Sequence, residues 1–335
     1  MKIQKPFIII GLSILSITLA VLSTTTIALA QTTDNTSGQA LEIAPPVLFL
    51  KADPGQTITS QISLRNISKG TLVVSSQIND FVANGENGVP KLILEETQTN
   101  PNSMKTWVNP LAELTMSSRQ LKNLPVTINV PSDASPGGYY GVIRFTATPP
   151  DLKGTGVSLS ASLGALIFLR INGQAKENMS IVEFSANEGG KTGTFFESAP
   201  INFVERIKND GNIFEQPTGQ ISITDMFGKK VAAVNINLAQ NYILPNSTRK
   251  FEETLDRSTI GDKMLFGHYT ADMTLTYGAN KQVITKSMSF WVIPYRLIAV
   301  VAALVVGGVL ALWFGIKRYN QFIISKAQKS RHRKK

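Results

Sequence analysis

Apolar and polar positions alternate along most of the chain between residues 41 and 293. In residues 57–64, Ile58, Ile62 and Leu64 share one face, whereas Thr and Gln side chains fill the other. This period of two predicts an antiparallel strand with one buried face. Similar runs, bounded by Gly, Pro, Asn and Asp, predict strands at residues 46–51, 71–80, 92–95, 111–117, 124–130, 139–148, 158–171, 179–185, 199–208, 219–225, 230–238, 249–254, 268–277 and 282–294.

The strands fall into two sets, separated by residues 171–176. No part of either set has a sustained 3.6-residue apolar period with caps, so we expect few and short helices there. The fold class is therefore all-β. A region of this length suits two domains of ~100 to 150 residues each. The strand spacing predicts two tandem Ig-like β-sandwich domains, at residues 41–172 and 173–294.

An internal echo supports two copies of one architecture. A strand in the first set ends at Asn66, and a strand in the second ends at Asn209. Each set also has a late strand that opens with Gly and Tyr, the tyrosines being Tyr139 and Tyr269. In Ig-like sandwiches such a Tyr closes the end of the sandwich, and its hydroxyl bonds to backbone.

Both ends of the chain carry apolar segments. Lys2 and Lys5, the uncharged run at residues 7–22 and the small-residue site Ala28-Leu29-Ala30 predict a signal peptide at residues 1–30. A polar, flexible leader follows at residues 31–40. Residues 297–316 contain no charge, and at ~1.5 Å per residue they span a hydrocarbon core of roughly 30 Å. We therefore expect a transmembrane helix at residues 295–316.

Charge sets the expected orientation. The tail at residues 317–335 holds eight Lys and Arg and no acid, so the positive-inside rule places it in the cytoplasm and the β-domains outside the cell membrane. The tail and signal peptide together hold 10 of the 33 cations, and the remaining 23 equal the 23 carboxylates, all of which lie between residues 31 and 316. The exported part is formally neutral, which excludes a nucleic-acid-binding surface built on net charge.

Little in the chain indicates catalysis. It has no Cys, which excludes disulfides, thiol nucleophiles and thiolate metal sites. Its two His are His268, in a predicted strand, and His332, in the tail. A glycosidase would need a close pair of acids, which scattered carboxylates such as Glu95, Glu96, Glu113, Glu252 and Glu253 could supply, although acids on a strand-rich surface are usually solvated. We expect no enzyme activity, no metal and no cofactor.

Two sets of residues are candidates for binding. Loops at the sandwich ends include residues 84–88 with Asn84 and Asn87, residues 98–110 with Trp107, and residues 151–156. Trp107 suits stacking on a sugar or filling a protein pocket, and an alternative is that it folds onto the edge of the core. In the membrane helix, small residues recur every four positions and form a ridge for close approach of another helix: Ala299, Ala303, Gly307, Ala311 and Gly315.

Three turn motifs and the order of segments resemble the WxL-interacting surface proteins of Gram-positive bacteria. The motifs are Asp53-Pro54-Gly55-Gln56 before a strand, Asn84-Gly85-Glu86-Asn87-Gly88 after the next, and the run from Pro131 through Pro136-Gly137-Gly138-Tyr139 to Gly141. The resemblance implies that the first domain binds peptidoglycan and that the second engages a protein partner. No individual recognition residue carries over from it.

These patterns together predict a bacterial, single-pass membrane protein that presents two β-sandwiches outside the cell. We expect it to bind cell-wall glycan or another surface protein. The small-residue ridge of the membrane helix also offers a surface for self-association. Two alternatives remain open at this point. One is an accessory or structural subunit of a membrane complex for secretion or transport, and the other is a wall-active hydrolase.

Overall fold

The computed structural model describes residues 41–95, 100–149, 161–261 and 264–332. The predicted signal peptide, the leader and the candidate loop at residues 151–156 lie outside these ranges. The described residues from Leu41 onward group into one unit.

The first half of the unit is a sandwich of two sheets, one of three strands and one of six. Its strands are β1 (Leu41–Ala44), β2 (Val47–Ala52), β3 (Thr57–Asn66), β4 (Leu72–Ala83), β5 (Pro90–Ile93), β6 (Leu114–Met116), β7 (Leu121–Asn129), β8 (Gly137–Thr148) and β9 (Ala161–Ile171). The smaller sheet has the order β1-β3-β7, and the larger has the order β2-β9-β8-β4-β5, with β6 paired to β4. All these pairs are antiparallel except β2 with β9, which is parallel.

The second half is also a sandwich of two sheets. Its strands are β10 (Met179–Glu188), β11 (Lys191–Thr192), β12 (Phe195–Phe196), β13 (Ile201–Asn209), β14 (Thr218–Asp225), β15 (Lys230–Ile236), β16 (Thr248–Leu255), β17 (Gly267–Tyr277) and β18 (Gln282–Val292). One sheet has the order β11-β10-β13-β16, and the other has the order β12-β18-β17-β14-β15. Strand pairing between the described residues stays within each half.

Alternation places one face of each sheet in a core. Ile62 and Val126 of the smaller first sheet and Ile143 and Ile167 of the larger are fully buried or nearly so. In the second sandwich one buried cluster joins both sheets, including Phe203 and Phe290, whose ring centroids are 5.9 Å apart. Burial of this apolar area drives the folding of both halves, since the chain contains no disulfide.

The all-β class is confirmed. The short strands β1, β11 and β12 were not predicted, because two to four residues are too few to show a period. One helical turn, Arg257–Ile260, was also not singled out, and the side chain of Asp256 caps it by accepting from the Thr259 N–H.

A single long helix, Tyr295–His332, follows β18. It is longer than the predicted membrane segment, and residues Tyr295–Ile324 are apolar and long enough to cross a membrane. None of that segment is buried against the sandwiches. The helix continues into the basic tail because Lys, Arg, Gln and Ala are all good helix formers.

A candidate binding cleft between the two sandwiches

Four aromatic rings form a row across the outer face of the larger first sheet. The strand register places Phe49 beside Phe168 and Phe168 beside Tyr140, and Phe81 continues the row on β4. Ring centroids lie 5.3 Å apart for Phe49 and Phe168, and 5.0 Å apart for Phe81 and Tyr140. These side chains point away from the core between the two sheets, so this sheet is apolar on both faces.

The second sandwich covers part of this row. Phe214 meets Phe168 edge-on at 5.0 Å, and Tyr242 packs against Phe49 at the same separation. Leu244 is buried in the same cluster as Phe81, Tyr140 and Phe168. The two sandwiches therefore meet through an aromatic interface, which is stabilised by the packing of large apolar ring surfaces.

Backbone groups also join the two sandwiches. The Gly138 N–H donates to the Asn212 carbonyl at 2.9 Å, and the Lys250 N–H donates to the Glu86 carbonyl at 2.8 Å. A Cβ on Gly138 would lie 2.8 Å from the Phe214 ring and 3.0 Å from the Phe214 backbone nitrogen. Only glycine permits this close approach, which fixes how the sandwiches sit against each other.

The β4–β5 hairpin loop reaches across to the second sandwich. Glu86 makes two hydrogen bonds with the Arg206 guanidinium, through Nε at 2.8 Å and through Nη2. The Arg206 hydrogen bond, together with the charges of Arg206 and Lys250, outweighs the opposing effect of burial and holds the pKa of Glu86 below its usual value. The guanidinium of Arg249 lies over Gly88, where there is no room for a Cβ. The loop thus acts as a clamp between the halves.

Two cavities open on either side of the Phe49–Tyr242 contact. One, of about 480 Å³, is lined by apolar residues such as Phe81 and Phe168 and by Arg249. The other, of about 660 Å³, contains Lys51, Arg170 and Glu215. Phe49 and Tyr242 line both cavities, and Phe49 is 53% exposed between them. Together they form one cleft along the junction.

Charged groups concentrate in the second cavity and beside it. Arg170 pairs with Glu177 at 3.3 Å, and the other Glu177 carboxylate oxygen accepts from the Ala279 N–H. Glu215 is buried and accepts from the Gly278 N–H at 3.1 Å. Burial, and then the neighbouring Glu177 carboxylate, raise the pKa of Glu215 to about 7.

The apolar face of the first sheet continues beyond the part that the second sandwich covers. Val47, Leu92, Val142 and Leu166 line a groove of about 420 Å³ with Gly164 among its lining residues. Beside it, β9 is paired on one side only: β2 begins at Val47, and the last bond to β9 runs from the Leu166 N–H to the Pro46 carbonyl at 3.0 Å. Within the described residues, no strand pairs with this edge of β9 at residues 161–165.

The predicted loop residues have different surroundings. Trp107 ends a 3-10 turn, is half-buried, and packs on Tyr139 with ring centroids 4.4 Å apart. Asn84 and Asn87 are exposed in the clamp loop, where the Asn87 side chain accepts from the Val89 N–H. A ligand role for these three residues stays a prediction.

The ridge residues Ala299, Ala303, Gly307, Ala311 and Gly315 lie on the exposed C-terminal helix. Within the described structure, nothing approaches within 4 Å of a Cβ built on Gly307 or Gly315. Self-association through this ridge also stays a prediction.

His268, the one His outside the tail, lies on β17 and meets Trp291 edge-on at 5.0 Å. The carboxylates Glu252 and Glu253 are neighbours on β16, where alternation points them to opposite faces. Glu253 accepts from the Asn237 N–H and Glu252 pairs with Lys250, so both have structural partners.

Sequence reasoning missed the residues of the cleft, although a signal was present. Residues 165–169 are uninterruptedly apolar, and residues 47–50 are as well. A strand with such a run is buried on both faces rather than one. The run identifies a second contact surface on this sheet, but not the surface that covers it.

No family model matches this chain, and no curated protein does. Among similar solved structures are the class 5 fimbriae chaperone CfaA (16% identity, covering 74% of this chain and 98% of that one, TM-score 0.39) and a chaperone–tip adhesin complex of CFA/I fimbriae (15%, 74% and 98%, TM-score 0.40). A third is the complex of the Salmonella enterica SafA pilin with the SafB chaperone (12%, 74% and 96%, TM-score 0.35). At these identities and scores, none of them places the chain in a family.

Proposed function

We propose that this chain is a membrane-anchored, non-catalytic binding protein whose first sandwich holds an extended segment of another cell-surface protein. The observation that carries the proposal is the exposed apolar groove beside the unpaired edge of β9. The groove shares Val47, Pro90 and Leu166 with the first cavity at the sandwich junction. A segment bound in the groove would therefore lie next to the aromatic interface between the sandwiches.

The edge of β9 supplies backbone groups for such a segment. Leu166 directs its N–H toward the β2 side, and by strand alternation Gly164 and Ser162 direct theirs to the same side. An added strand that continues the line of β2 would bond to these groups. Every second side chain of the segment would then lie over Val47, Val142 and Leu166. The partner segment therefore alternates apolar and polar residues.

The C-terminal helix supports the anchoring part of the proposal. Residues 297–316 of this helix carry no charge and are exposed, as a lipid-facing helix requires. The basic residues that follow favour a cytoplasmic end, which leaves the two sandwiches on the outer side of the membrane.

The test uses the full chain in detergent micelles and a displayed library of random decapeptides. We expect enriched peptides with alternating apolar residues. Ser162→Pro removes the N–H that faces the open edge, and the expected loss of affinity is about tenfold or more. Ser162→Ala is the matched control, since both changes remove the hydroxyl contact with Thr146 and only the proline removes the N–H. Equal binding by the two variants would refute the strand-addition mode.

A cell-wall glycan is the second candidate, and the exposed ring of Phe49 favours it. This ring sits at the junction of two cavities with the amides of Gln216, Gln240 and Asn241 nearby, and sugars stack on such rings while polar groups take their hydroxyls. Retention of the full chain on insoluble peptidoglycan would support this candidate if Phe49→Ala abolished it. Phe195→Ala is the control, because Phe195 is a similarly exposed, stacked ring on the second sandwich.

A further inference from the structure

The start of the C-terminal helix is fixed to one end of the second sandwich. Only Ile293 and Pro294 separate β18 from the helix. The Ile293 N–H donates to the Phe196 carbonyl at 2.8 Å, and Arg296 pairs with Glu197 at 3.3 Å. The helix therefore leaves the sandwich without a flexible linker, and this end of the sandwich lies close to whatever surrounds the helix.

Large apolar side chains are exposed at the same end. Phe227, at the tip of the β14–β15 hairpin, is 86% exposed, and Phe195 on β12 is 69% exposed. The set, which we name the membrane-end patch, consists of Phe195, Met226, Phe227, Met264, Phe266 and Trp291.

Strand pairing and packing place the members of the patch beside the helix start. Phe195 pairs with Trp291, the second-last residue of β18. Gly267 pairs with Val292, and Met226 lies over Gly267, where a Cβ would collide with its methyl group. Met264 lines one hollow of about 550 Å³ together with Pro294, the residue before the helix.

Among the described residues, the exposed charged side chains around the patch are cationic. Lys229, Lys230 and Arg257 are exposed there, and no described side chain forms an ion pair with them. The nearby described acids are half-buried and have partners: Asp225 accepts from the Phe227 and Lys229 N–H groups of the hairpin, Asp256 caps a helical turn, and Glu197 pairs with Arg296. An apolar tip within a cationic rim matches a bilayer surface, where aromatic rings favour the interface and Lys and Arg favour anionic headgroups.

We propose that the membrane-end patch inserts into the headgroup region of the bilayer and docks the second sandwich on the lipid surface. This inference rests on the proposed membrane anchoring, and it adds a lipid-binding surface separate from the helix. Docking of this kind fixes the height and tilt of both sandwiches, because the first sandwich is held to the second by the clamp and the aromatic interface. The groove beside β9 is then presented at a set distance from the membrane.

The absence of Cys makes a direct test possible, since each introduced Cys is the only one in the chain. The full chain would be reconstituted in nanodiscs of phosphatidylcholine and phosphatidylglycerol, with one environment-sensitive fluorophore per variant and nitroxide-labelled lipids as quenchers. The patch is labelled at Phe227→Cys and, in a second variant that keeps Phe227, at Met264→Cys. Leu238→Cys is the matched control, because Leu238 is 75% exposed beyond the far end of β15.

We expect severalfold stronger lipid quenching at positions 227 and 264 than at 238, with headgroup nitroxides more effective there than nitroxides deep in the acyl chains. A Val306→Cys label in the helix reports the anchor independently. Deep quenching at 306 with no excess at 227 and 264 would overturn the docking and leave the anchor intact. Loss of quenching at 306 would instead overturn the anchoring. A patch label shielded from water but not quenched by lipid would indicate a protein contact, which also overturns the docking.

Discussion

The two sandwiches share local devices but differ in their outer faces. Asn66 and Asn209 are both fully buried at the end of a strand. Each side-chain oxygen accepts from the N–H two residues on, and each amide donates to the carbonyl four residues on and to a carbonyl of a distant segment. Tyr139 and Tyr269 likewise bond their hydroxyls to a nearby carbonyl, as the sequence echo predicted.

The outer faces show what distinguishes the halves. In the first sandwich the outer row of the larger sheet is aromatic, from Phe49 to Phe81. In the second, the corresponding positions of β17 and β18 are mainly polar, for example Thr270, Thr274 and Ser287. The repeated devices therefore maintain the fold, whereas the outer face determines which sheet acquires partners.

The largest effect should come from replacing the buried asparagine that ends a strand in each sandwich. Asn66→Ala and Asn209→Ala each leave several buried backbone groups without partners, and each such group costs about 1–3 kcal/mol. Because Asn66 bonds four backbone groups and Asn209 bonds three, we expect either change to lower the free energy of unfolding by about 5 kcal/mol or more, measured by denaturant titration of the full chain. Asn123→Ala, at an exposed Asn with a single bond to Ser63, is the control. A small loss at only one of the two positions would show that the devices are not equivalent.

The next effect tests the difference between the outer faces. Phe168→Ala empties the centre of the aromatic row, where Phe49, Tyr140 and Phe214 all touch the ring. Truncation of a buried Phe costs about 3–5 kcal/mol. Thr274→Ala, on the outer face of β17, should change stability by less than about 0.5 kcal/mol. Calorimetry on both variants checks the contrast, and similar losses in the two would contradict it.

A third effect concerns the core of the second sandwich, which contains a carboxyl group. Glu205 is fully buried on β13, and neither of its oxygens has a hydrogen-bond partner among the described groups. Burial, and then the Glu253 carboxylate, raise its pKa to about 8. Between its ordinary pKa and about 8 the folded state keeps a proton that the unfolded state has released.

The contribution of Glu205 to the free energy of unfolding should therefore be fully present below its ordinary pKa. It should fall as the pH rises from there to about 8, by up to about 1.4 kcal/mol per pH unit. Glu205→Leu should remove the slope above about pH 7 and raise stability at pH 8, whereas below pH 7 the buried Glu215, whose pKa is raised to about 7, should keep part of the slope. Denaturant titrations across this pH range measure both. Glu252→Gln, at an exposed neighbour on β16, is the control and should keep the slope. A wild-type slope in Glu205→Leu would show that another group causes it.

The sequence predicted the strands within each sandwich, but not the contacts between residues that are far apart in the chain. Alternation located most strands of both halves within a few residues, because one buried face leaves a period of two. The clamp could not be predicted, since Glu86 and Arg206 are 120 residues apart and only the docking of the halves joins them. The membrane-end patch was equally hidden: Phe227 and Phe266 are ordinary loop residues until the strand pairing places them beside the helix start.

The smallest effect should come from the clamp. The Glu86–Arg206 pair joins the two halves but is about one-third exposed, so water and salt weaken its contribution. Since the pKa of Glu86 is lowered in the fold, its contribution is present at neutral pH and is lost as the pH falls through the folded-state pKa. Glu86→Gln should therefore lower Tm only slightly, and the difference should shrink at high salt. Glu42→Gln is the control, because Glu42 pairs with Arg65 inside one sandwich, with both side chains more than half exposed. Spin labels on the two sandwiches should report a broader distance distribution for Glu86→Gln and an unchanged one for Glu42→Gln. Unchanged distances in both would mean that the aromatic interface and Gly138 alone set the geometry of the junction.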